Sequence, residues 1–304
     1  GEVFIFLFIV FLIVILILFY ISFRLYNFAL NPKSSKEGIF NSKDNNEPRF
    51  QDTWIYDYKD KEDVFINSFD NLKLHGYILK TENSDKWAIT VHGYTNKAES
   101  MSAMAYKYHS LGYNILMPDL RGHGKSEGSY VGMGWHDRLD ILKWIDLIIK
   151  ENKDAKILLH GISMGAGTVM MVSGEELPEN VKVIIEDCGY TSAKEQLAYN
   201  LKTMFKLPSF PILNFCSLIT KIKDNYFISE ASAIKQLQKA KVPILFIHGD
   251  KDKFVPFYML DKLYNACSSK KDKLIIKDVG HAKSESLKSD LYWNKVEDFI
   301  KPYM

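Results

Sequence analysis

Short apolar segments alternate with helical segments along most of this chain, and this alternation limits its possible folds more than any other feature. Several of the apolar segments lack polar residues, as expected of parallel strands that are buried on both faces. Between them, Met101, Met104, Ala105 and Tyr108 share one helical face. The pattern predicts a mainly parallel, eight-stranded α/β sheet with helices on both faces. The strand-like segments are 64–68, 73–79, 87–91, 113–118, 157–160, 181–186, 243–248 and 273–277.

Two segments depart from the regular alternation. The first two strands meet tightly around Asp70 and Asn71, which predicts an antiparallel hairpin at one edge of the sheet. Residues 193 to about 240 are too long for a simple crossover and predict a helical cap over the carboxyl ends of the strands. Its apolar residues suit either an acyl pocket or a cap packed on the core. These residues are Leu197, Tyr199, Met204, Phe205, Phe210, Phe215 and Phe227.

The N-terminal region has a different character. Residues Val3 to Ile21 include no charged side chain, which predicts a transmembrane helix within residues 1–23. A cleaved signal peptide would have a shorter apolar core and a small-residue cleavage site, and no such site precedes Arg24. Residues 24–52 are polar and predict a tether, so that the globular domain spans 53–304.

The charges after the apolar run bear on the orientation of this helix. Arg24, Lys33 and Lys36 follow it, and the positive-inside rule alone would therefore place the globular domain on the cytoplasmic side.

Composition excludes several classes of function. The net charge of the 304 residues is +2 and their lysines are scattered among acids, so we expect no nucleic-acid partner. Cys188, Cys216 and Cys267 lie far apart, without the spacing of a zinc site or a disulfide framework. We expect neither a metal nor an organic cofactor.

The strongest chemical motif lies at the end of the strand-like segment 157–160. Gly161 to Gly165 read G-x-S-x-G, with a strand before the motif and a helical segment after it. In this context a sharp turn exposes the hydroxyl of Ser163, and the helix N-terminus favours a developing negative charge. A tight turn with an incidental serine is the alternative, but it rarely occurs between a strand and a helix. We predict that Ser163 is a nucleophile.

The general base and its acid should follow the nucleophile in sequence. His281 lies in a loop after the last strand, where it can reach the serine and take its proton. Three aspartates could orient it: Asp187 ends one strand, and Asp250 and Asp252 share the loop after the next. Their positions alone do not choose between them. The remaining histidines lie within strands or helices, except for three near strand ends that could line the site: His92, His123 and His248.

An oxyanion hole needs two backbone donors near the nucleophile. One is expected from Met164, directly after the serine, and the second from Tyr94 in the turn that begins with His92 and Gly93. A plain glycine turn would read the same way. The glycine-rich loop 119–128 does not have phosphate-loop spacing and is interpreted as structural.

Six segments together resemble the α/β-hydrolase superfamily, and more narrowly the bacterial group related to serine aminopeptidases and Bem46-like hydrolases. The resemblance covers the chain from about residue 60 to its end. It implies Asp252 rather than Asp250 as the acid and His281 as the base. The apolar span and polar tether also resemble Gram-positive cell-surface hydrolases, which implies an extracytoplasmic catalytic domain on a single-pass anchor. The segments are VHGYTN (91–96), DLRGHGKSEG (119–128), GISMGAG (161–167), EDCGYTS (186–192), LFIHGDKDKFVP (245–256) and GHAKS (280–284).

These observations predict a membrane-anchored serine hydrolase that cleaves carboxylic esters with an acyl or lipid-like group. A peptidase or amidase is a rival, because one fold supports several bond classes. It would need an acid in the cap to hold a substrate amine, and only Glu195, Asp224 and Glu230 qualify. A non-catalytic surface protein is the other rival, and the intact serine, aspartate and histidine argue against it.

Overall fold

A single sheet organises the chain in the computed structural model, which describes residues 1–36, 39 and 47–304. Within these residues the sheet has eight strands, in the order β1-β2-β4-β3-β5-β6-β7-β8. Strands β3 to β8 pair in parallel, as buried apolar runs favour. The strands are β1 Glu62–Asn67, β2 Lys73–Leu79, β3 Lys86–Val91, β4 Asn114–Pro118, β5 Lys156–Ile162, β6 Val181–Asp187, β7 Ile244–Gly249 and β8 Lys271–Ile276.

Helices connect the strands and precede the sheet. Two short 3-10 helices, at Ala98–Met101 and Ile228–Glu230, add to the α-helices. The α-helices are α1 Glu2–Leu30, α2 Phe50–Asp57, α3 Ser102–Ser110, α4 Trp135–Glu151, α5 Met164–Val172, α6 Ala193–Phe205, α7 Ile212–Asp224, α8 Ala233–Leu237, α9 Tyr258–Ala266, α10 Ser284–Leu287 and α11 Ser289–Ile300.

The first two strands form the hairpin that the sequence predicts. They pair antiparallel from Asn67 opposite Lys73 outward, and Asn71 in the turn adopts φ 65°. Asparagine tolerates this left-handed conformation better than most residues. Strand β2 also pairs antiparallel with β4. The predicted mainly parallel, eight-stranded sheet is therefore confirmed.

The sheet separates two apolar cores. Leu158 and Leu159 are adjacent on β5 but belong to different buried clusters, because successive side chains of a strand point to opposite faces. Trp144 of α4 lies in the cluster with Leu159, and Tyr108 of α3 lies in the cluster with Leu158. Helices therefore cover both faces, and the carboxyl ends of β3, β5, β6 and β7 meet at one edge.

The segment that interrupts the strand–helix order is helical. Helices α6, α7 and α8 lie within residues 193 to about 240, where the sequence predicts a cap. Ser192 accepts a hydrogen bond from the amide of Glu195 and caps α6, and Ser232 does the same for α8 from Lys235. Helix α7 is amphipathic and buries one face, which includes Ile212, Cys216 and Ile219.

Helix α1 is long and apolar enough to cross a membrane, judged by its length and composition. It continues to Leu30, beyond residue 23 where the sequence places the end of the anchor. Its last turns are stabilised by packing, since Ser22, Tyr26 and Leu30 are buried against the rest of the chain.

The predicted tether is also structured at its far end. Helix α2 begins at Phe50 within the predicted tether, where Arg49 pairs with Asp52 at 2.7 Å and with Glu285 at 2.6 Å. Residues 37, 38 and 40–46 of the predicted tether lie outside the described residues.

Candidate active site

The nucleophile candidate lies in the turn between β5 and α5. Ser163 has φ 56° and ψ −116°, a conformation that costs a non-glycine residue about 1–3 kcal/mol. Its amide donates to the carbonyl of Asp187 at the end of β6, at 2.8 Å, which helps to hold the turn. The strained turn presents the Ser163 side chain at the carboxyl edge of the sheet.

Two glycines allow the backbone to pass close to this turn. A Cβ on Gly165 would lie 2.0 Å from the carbonyl oxygen of Val91, a clash with backbone that cannot relax easily. A Cβ on Gly93 would lie 3.3 Å from the Cβ of Ser163. Glycine at positions 93 and 165 therefore lets the turn after β3 lie directly against Ser163.

Three side chains form one hydrogen-bonded chain. Ser163 Oγ lies 2.9 Å from Nε2 of His281, and Nδ1 of His281 lies 2.7 Å from Oδ2 of Asp252. A carboxylate accepts only, so Nδ1 carries the proton and Nε2 can accept from the serine hydroxyl. The structure brings together the serine, the histidine and the second aspartate of the 250–252 pair.

Asp252 is held as a carboxylate. Burial alone raises its pKa, but hydrogen bonds from His248 and His281 outweigh burial and hold the pKa at about 2. The amides of Phe254 and Val255 each donate to Oδ1 at 2.9 Å. The acid is therefore ionised and fixed at neutral pH.

The other two aspartates have different surroundings. Oδ1 of Asp250 accepts from the amide of Asp278 at 2.7 Å, which ties two loops together. Burial raises the pKa of Asp187 to about 7 and that of its neighbour Glu186 to about 8. Among the described residues, the ring of His281 makes hydrogen bonds with Ser163 and Asp252 only.

A second histidine shares the acid, and the sequence names it only as one that could line the site. Nε2 of His248 lies 3.2 Å from Oδ2 of Asp252 and 3.0 Å from the carbonyl of Val255. The only indication of this role in the sequence was the position of His248 near the end of a strand. Its contact with the acid depends on how the loop after β7 folds back, which strand periodicity does not report.

His92 and His123 support the turn after β3. The ring of His92 is fully buried, and its Nδ1 lies 2.8 Å from the carbonyl of Gly93 while its Nε2 accepts from the amide of Leu120 at 3.0 Å. Burial lowers the pKa of His92 to about 3, so the ring is neutral. The ring of His123 packs on it, with centroids 5.2 Å apart.

The glycine-rich loop 119–128 folds around a buried carboxylate. Asp119 accepts from the amide of Ala98 at 2.7 Å and from the amide of Lys125 at 2.9 Å. A Cβ on Gly124 would lie about 2 Å from the Asp119 carboxylate, so this loop is built to wrap a side chain. The arrangement fits a structural loop.

The two expected oxyanion donors belong to residues that line the same cleft as the serine. Tyr94 follows Gly93 in the close-packed turn, Met164 is the first residue of α5, and both line one cleft with Ser163. The N-terminus of α5 carries a partial positive charge at this point. A helix N-terminus directly after Ser163 favours a negative charge that forms beside the serine.

The cleft above the serine is mostly apolar. The empty space between its lining atoms, together with the open solvent at its mouth, is about 910 Å³. The cap supplies one wall. The end of α1 supplies another, and nothing in the sequence indicated that α1 would line the cleft. The lining residues are Leu25, Tyr26, Phe28, Ala29, Leu30, Ile39, Tyr94, Met133, Ser163, Met164, Tyr190, Gln196, Leu197, Asn200, Leu201, Met204, Phe205, Leu213, Cys216, Ile228, Phe254 and Val255.

One cluster has the donor types of a metal site. Ligand atoms of Cys188, Asp252 and His281 lie within 4.8 Å of one another. Both ring nitrogens of His281 are already engaged in hydrogen bonds, and burial raises the pKa of the Cys188 thiol well above its usual value. A neutral thiol and an engaged imidazole are poor metal ligands, so the cluster fits acid–base chemistry better.

Comparisons with known proteins give the fold and the family context. A family model described as "Serine aminopeptidase, S33" matches residues 82–211, which include Tyr94 and Ser163. The protein YqkD of Bacillus subtilis is 28% identical over 89% of this chain and 88% of its own length. Protein bem46 of Schizosaccharomyces pombe is 25% identical over 70% of this chain and 67% of its own length.

Solved structures show the same architecture. The Pyrococcus furiosus esterase Pf2001 superposes with a TM-score of 0.66 and 24% identity, covering 80% of this chain and 93% of its own. At this identity the likeness establishes the fold.

Proposed function

Because this chain is an α/β-hydrolase of the group similar to serine aminopeptidases and Bem46-like proteins, we propose that it is a membrane-anchored serine esterase. The proposed substrates are carboxylic esters with an apolar acyl group. The observation that carries the proposal is the hydrogen-bonded chain of Ser163, His281 and Asp252 at the base of an apolar cleft.

The first half of the reaction forms an acyl-enzyme. Oγ of Ser163 attacks the ester carbonyl carbon while its proton passes to Nε2 of His281. The ionised Asp252 stabilises the imidazolium through Nδ1. The amides of Tyr94 and Met164 stabilise the oxyanion, and each such donor is worth about 10²–10³ in kcat. The intermediate expels the alcohol, which takes the proton from His281.

The second half releases the acid. Water loses a proton to Nε2 of His281 and attacks the acyl carbon. As the tetrahedral intermediate collapses and its bond to Oγ of Ser163 breaks, the imidazolium of His281 returns that proton to Oγ. The products are a carboxylic acid and the regenerated enzyme. This sequence requires no metal or cofactor, since the side chains carry every proton.

The lining of the cleft supports an apolar acyl group. Burial of each methylene in such a cleft stabilises binding by about 0.8 kcal/mol. Leu197, Met204 and Phe205 of the cap line the cleft, and Leu201 and Leu213 of the cap belong to the buried core. The apolar residues of the cap therefore fit both of the roles that the sequence left open.

The lining also weakens the rival peptidase activity, which the family model's description favours. Among the described residues of the cleft wall, none is an aspartate or a glutamate that could hold a substrate amine. The three acids of the cap are engaged elsewhere. Glu195 pairs with Lys262 at 2.7 Å, Asp224 bonds Tyr26, and Glu230 accepts from the amide of Phe227 at 2.6 Å.

The anchor is proposed to be α1, on its length and apolar composition. We propose an extracytoplasmic catalytic domain, from the resemblance to Gram-positive surface hydrolases and against the charge rule. A membrane-impermeant amine reagent should label the domain lysines in intact cells expressing the chain. Labelling only after lysis would place the domain on the cytoplasmic side.

The direct test is hydrolysis of p-nitrophenyl butyrate by the full chain in detergent, compared with Ser163→Ala. Loss of the nucleophile should lower kcat by about 10⁶-fold. Ser173→Ala is the matched control, because Ser173 is also buried but its hydroxyl only donates to the carbonyl of Met170. A folded Ser163→Ala variant that keeps wild-type turnover would refute the proposal.

A further inference from the structure

The length of α1 places its carboxyl end outside the hydrocarbon core. Twenty-nine helical residues extend roughly 43 Å, whereas about 20 residues cross a core of about 30 Å. Tyr20 and Arg24 mark the boundary, since Nη1 of Arg24 donates to the tyrosine hydroxyl at 3.1 Å and both side chains are exposed. Tyrosine and arginine are typical of this depth in membrane helices.

The same end of α1 forms part of the active-site cleft. Leu25, Phe28 and Ala29 line the cleft together with Ser163. At the rise of an α-helix they lie roughly 4 to 10 Å beyond residue 22, which corresponds to the headgroup layer if α1 spans the bilayer. The cleft wall and the membrane anchor are therefore one continuous helix.

Helix α7 is fastened to α1 at this level. Oγ of Ser22 donates to the carbonyl of Ile212 at 3.2 Å, and the hydroxyl of Tyr26 lies 2.8 Å from the carboxylate of Asp224. The ring of Phe19 meets the ring of Phe215 edge-on, with centroids 6.5 Å apart. Polar and apolar contacts thus hold α7 beside the membrane-proximal turns of α1.

The outer face of α7 is apolar, and two of its three side chains are exposed. Phe215, Leu218 and Ile222 share one face at spacings of three and four residues. Leu218 is 46% exposed and Ile222 is 73% exposed. Phe23 of α1, which contacts Lys223 of α7, is exposed as well. Exposed apolar surface beside a membrane helix is best covered by lipid, because lipid already surrounds that helix.

The charges beside this face fit a lipid surface. Lys221 packs over the ring of Phe227 at 5.2 Å, and Lys223 packs over the ring of Phe23 at 5.5 Å. A lysine near the bilayer surface contributes about 1 kcal/mol of attraction to anionic lipids. The apolar face with flanking lysines is the pattern of an interfacial helix.

We propose that the α7 face, defined as Phe215, Leu218 and Ile222, rests in the bilayer surface. The cleft between α1, α6 and α7 then takes the acyl chain of a membrane-resident ester directly from the lipid leaflet. This inference rests on the proposed esterase function and names its substrate class. An acyl chain that passes from lipid to the cleft avoids exposure to water, which would cost about 0.8 kcal/mol for each methylene.

The position of α7 can be tested without any assay of activity. The full chain carrying Ile222→Cys is spin-labelled in vesicles of phosphatidylcholine and phosphatidylglycerol, where the three native cysteines are buried. Leu287→Cys, at a 51% exposed leucine of α10, is the control. We expect the label at 222 to be accessible to oxygen and shielded from a water-soluble nickel chelate, and the label at 287 to show the reverse.

Two outcomes would overturn the placement of α7. Equal nickel accessibility at 222 and 287 would show that the α7 face lies in water. Spin–spin broadening at 222 would show that a second copy of the chain covers the face instead of lipid.

The route of the substrate is tested by hydrolysis in the same vesicles. The double variant Leu218→Glu/Ile222→Glu should lower turnover of a long-chain ester embedded in the vesicles by about tenfold or more, because two charges oppose insertion. Turnover of p-nitrophenyl acetate in water should stay within about twofold of wild type. The control Leu287→Glu/Leu291→Glu changes two similarly exposed leucines outside the cleft.

An equal response of the two esters would contradict delivery from the bilayer. Failure of the wild-type chain to hydrolyse either ester would instead remove the proposed function, while the spin-label result would still decide the position of α7.

Discussion

The carboxyl edge of the sheet and the wall formed by α1, α6 and α7 meet at the same cleft, but they are built differently. The sheet edge uses glycine turns, a strained serine and buried charges that fix a few atoms within hydrogen-bonding distance. The helical wall uses apolar side chains that share one surface. From this difference we propose that the first region sets the chemistry and the second selects the substrate.

The largest expected effect that separates the two regions is at the acid. Asp252→Asn should lower kcat by about 10⁴-fold for every ester, because an amide no longer holds His281 in the required tautomer. Steady-state kinetics on short and long p-nitrophenyl esters measure this loss.

Asp250→Asn is the matched control for that loss. The change affects the same loop, but Asp250 only accepts from the amide of Asp278. Equal losses for the two variants would contradict the assignment of Asp252.

Buried charge should make the sheet edge sensitive to pH. Burial raises the pKa of Asp187 to about 7, above its unfolded value of about 3.9, so the native state favours the protonated carboxyl. Burial of the protonated Asp187 carboxyl therefore does not reduce the stability of the protein below about pH 4. As pH rises from about 4 to about 7, the unfolded chain loses this proton more readily than the folded chain, so the free energy of unfolding decreases.

The variant Asp187→Asn should remove this dependence. Relative to wild type, it should gain on the order of 3 kcal/mol of stability between pH 4 and pH 8. Thermal unfolding at both values measures the change, with the exposed Asp290→Asn as control. If the difference in stability between wild type and Asp187→Asn is the same at pH 4 and at pH 8, the pKa of Asp187 is not raised by folding.

The smallest expected effect concerns the helical wall. Leu197→Ala removes part of the apolar lining, so kcat/KM for p-nitrophenyl octanoate should fall about five- to tenfold through lost acyl contacts. The value for p-nitrophenyl acetate should change less than about twofold, since acetate does not reach the wall. Leu287→Ala is the control. Equal decreases of kcat/KM on both esters in Leu197→Ala would show that the helical wall does not select the acyl group.

More of the sheet edge than of the helical wall could be predicted from the sequence. Eight apolar runs with flanking turns predict the strands, because burial on both faces leaves a composition signal in each. The turn at Ser163 and the loops that hold Asp252 and His281 carry local motifs. The catalytic roles of these residues remain predictions.

The helical wall depends on contacts between segments far apart in sequence. The hydroxyl of Tyr26 bonds the carboxylate of Asp224, 198 residues later in the chain, yet neither residue carries a local signal of the other. An apolar run predicts a membrane helix but does not predict that its last turns continue to Leu30 and line the cleft. Helix α2 likewise begins at Phe50, inside the segment 24–52 whose polar composition predicted a tether.

Covalent labelling can show whether Ser163 is the nucleophile. The full chain in detergent is treated with a fluorophosphonate, and the labelled peptide is identified by mass spectrometry, with Ser163→Ala alongside. We expect one adduct, on Ser163, that forms in the wild type and is lost in the variant. A folded wild-type chain that remains unlabelled, or that is labelled at another residue, would contradict the assignment of Ser163 as the nucleophile.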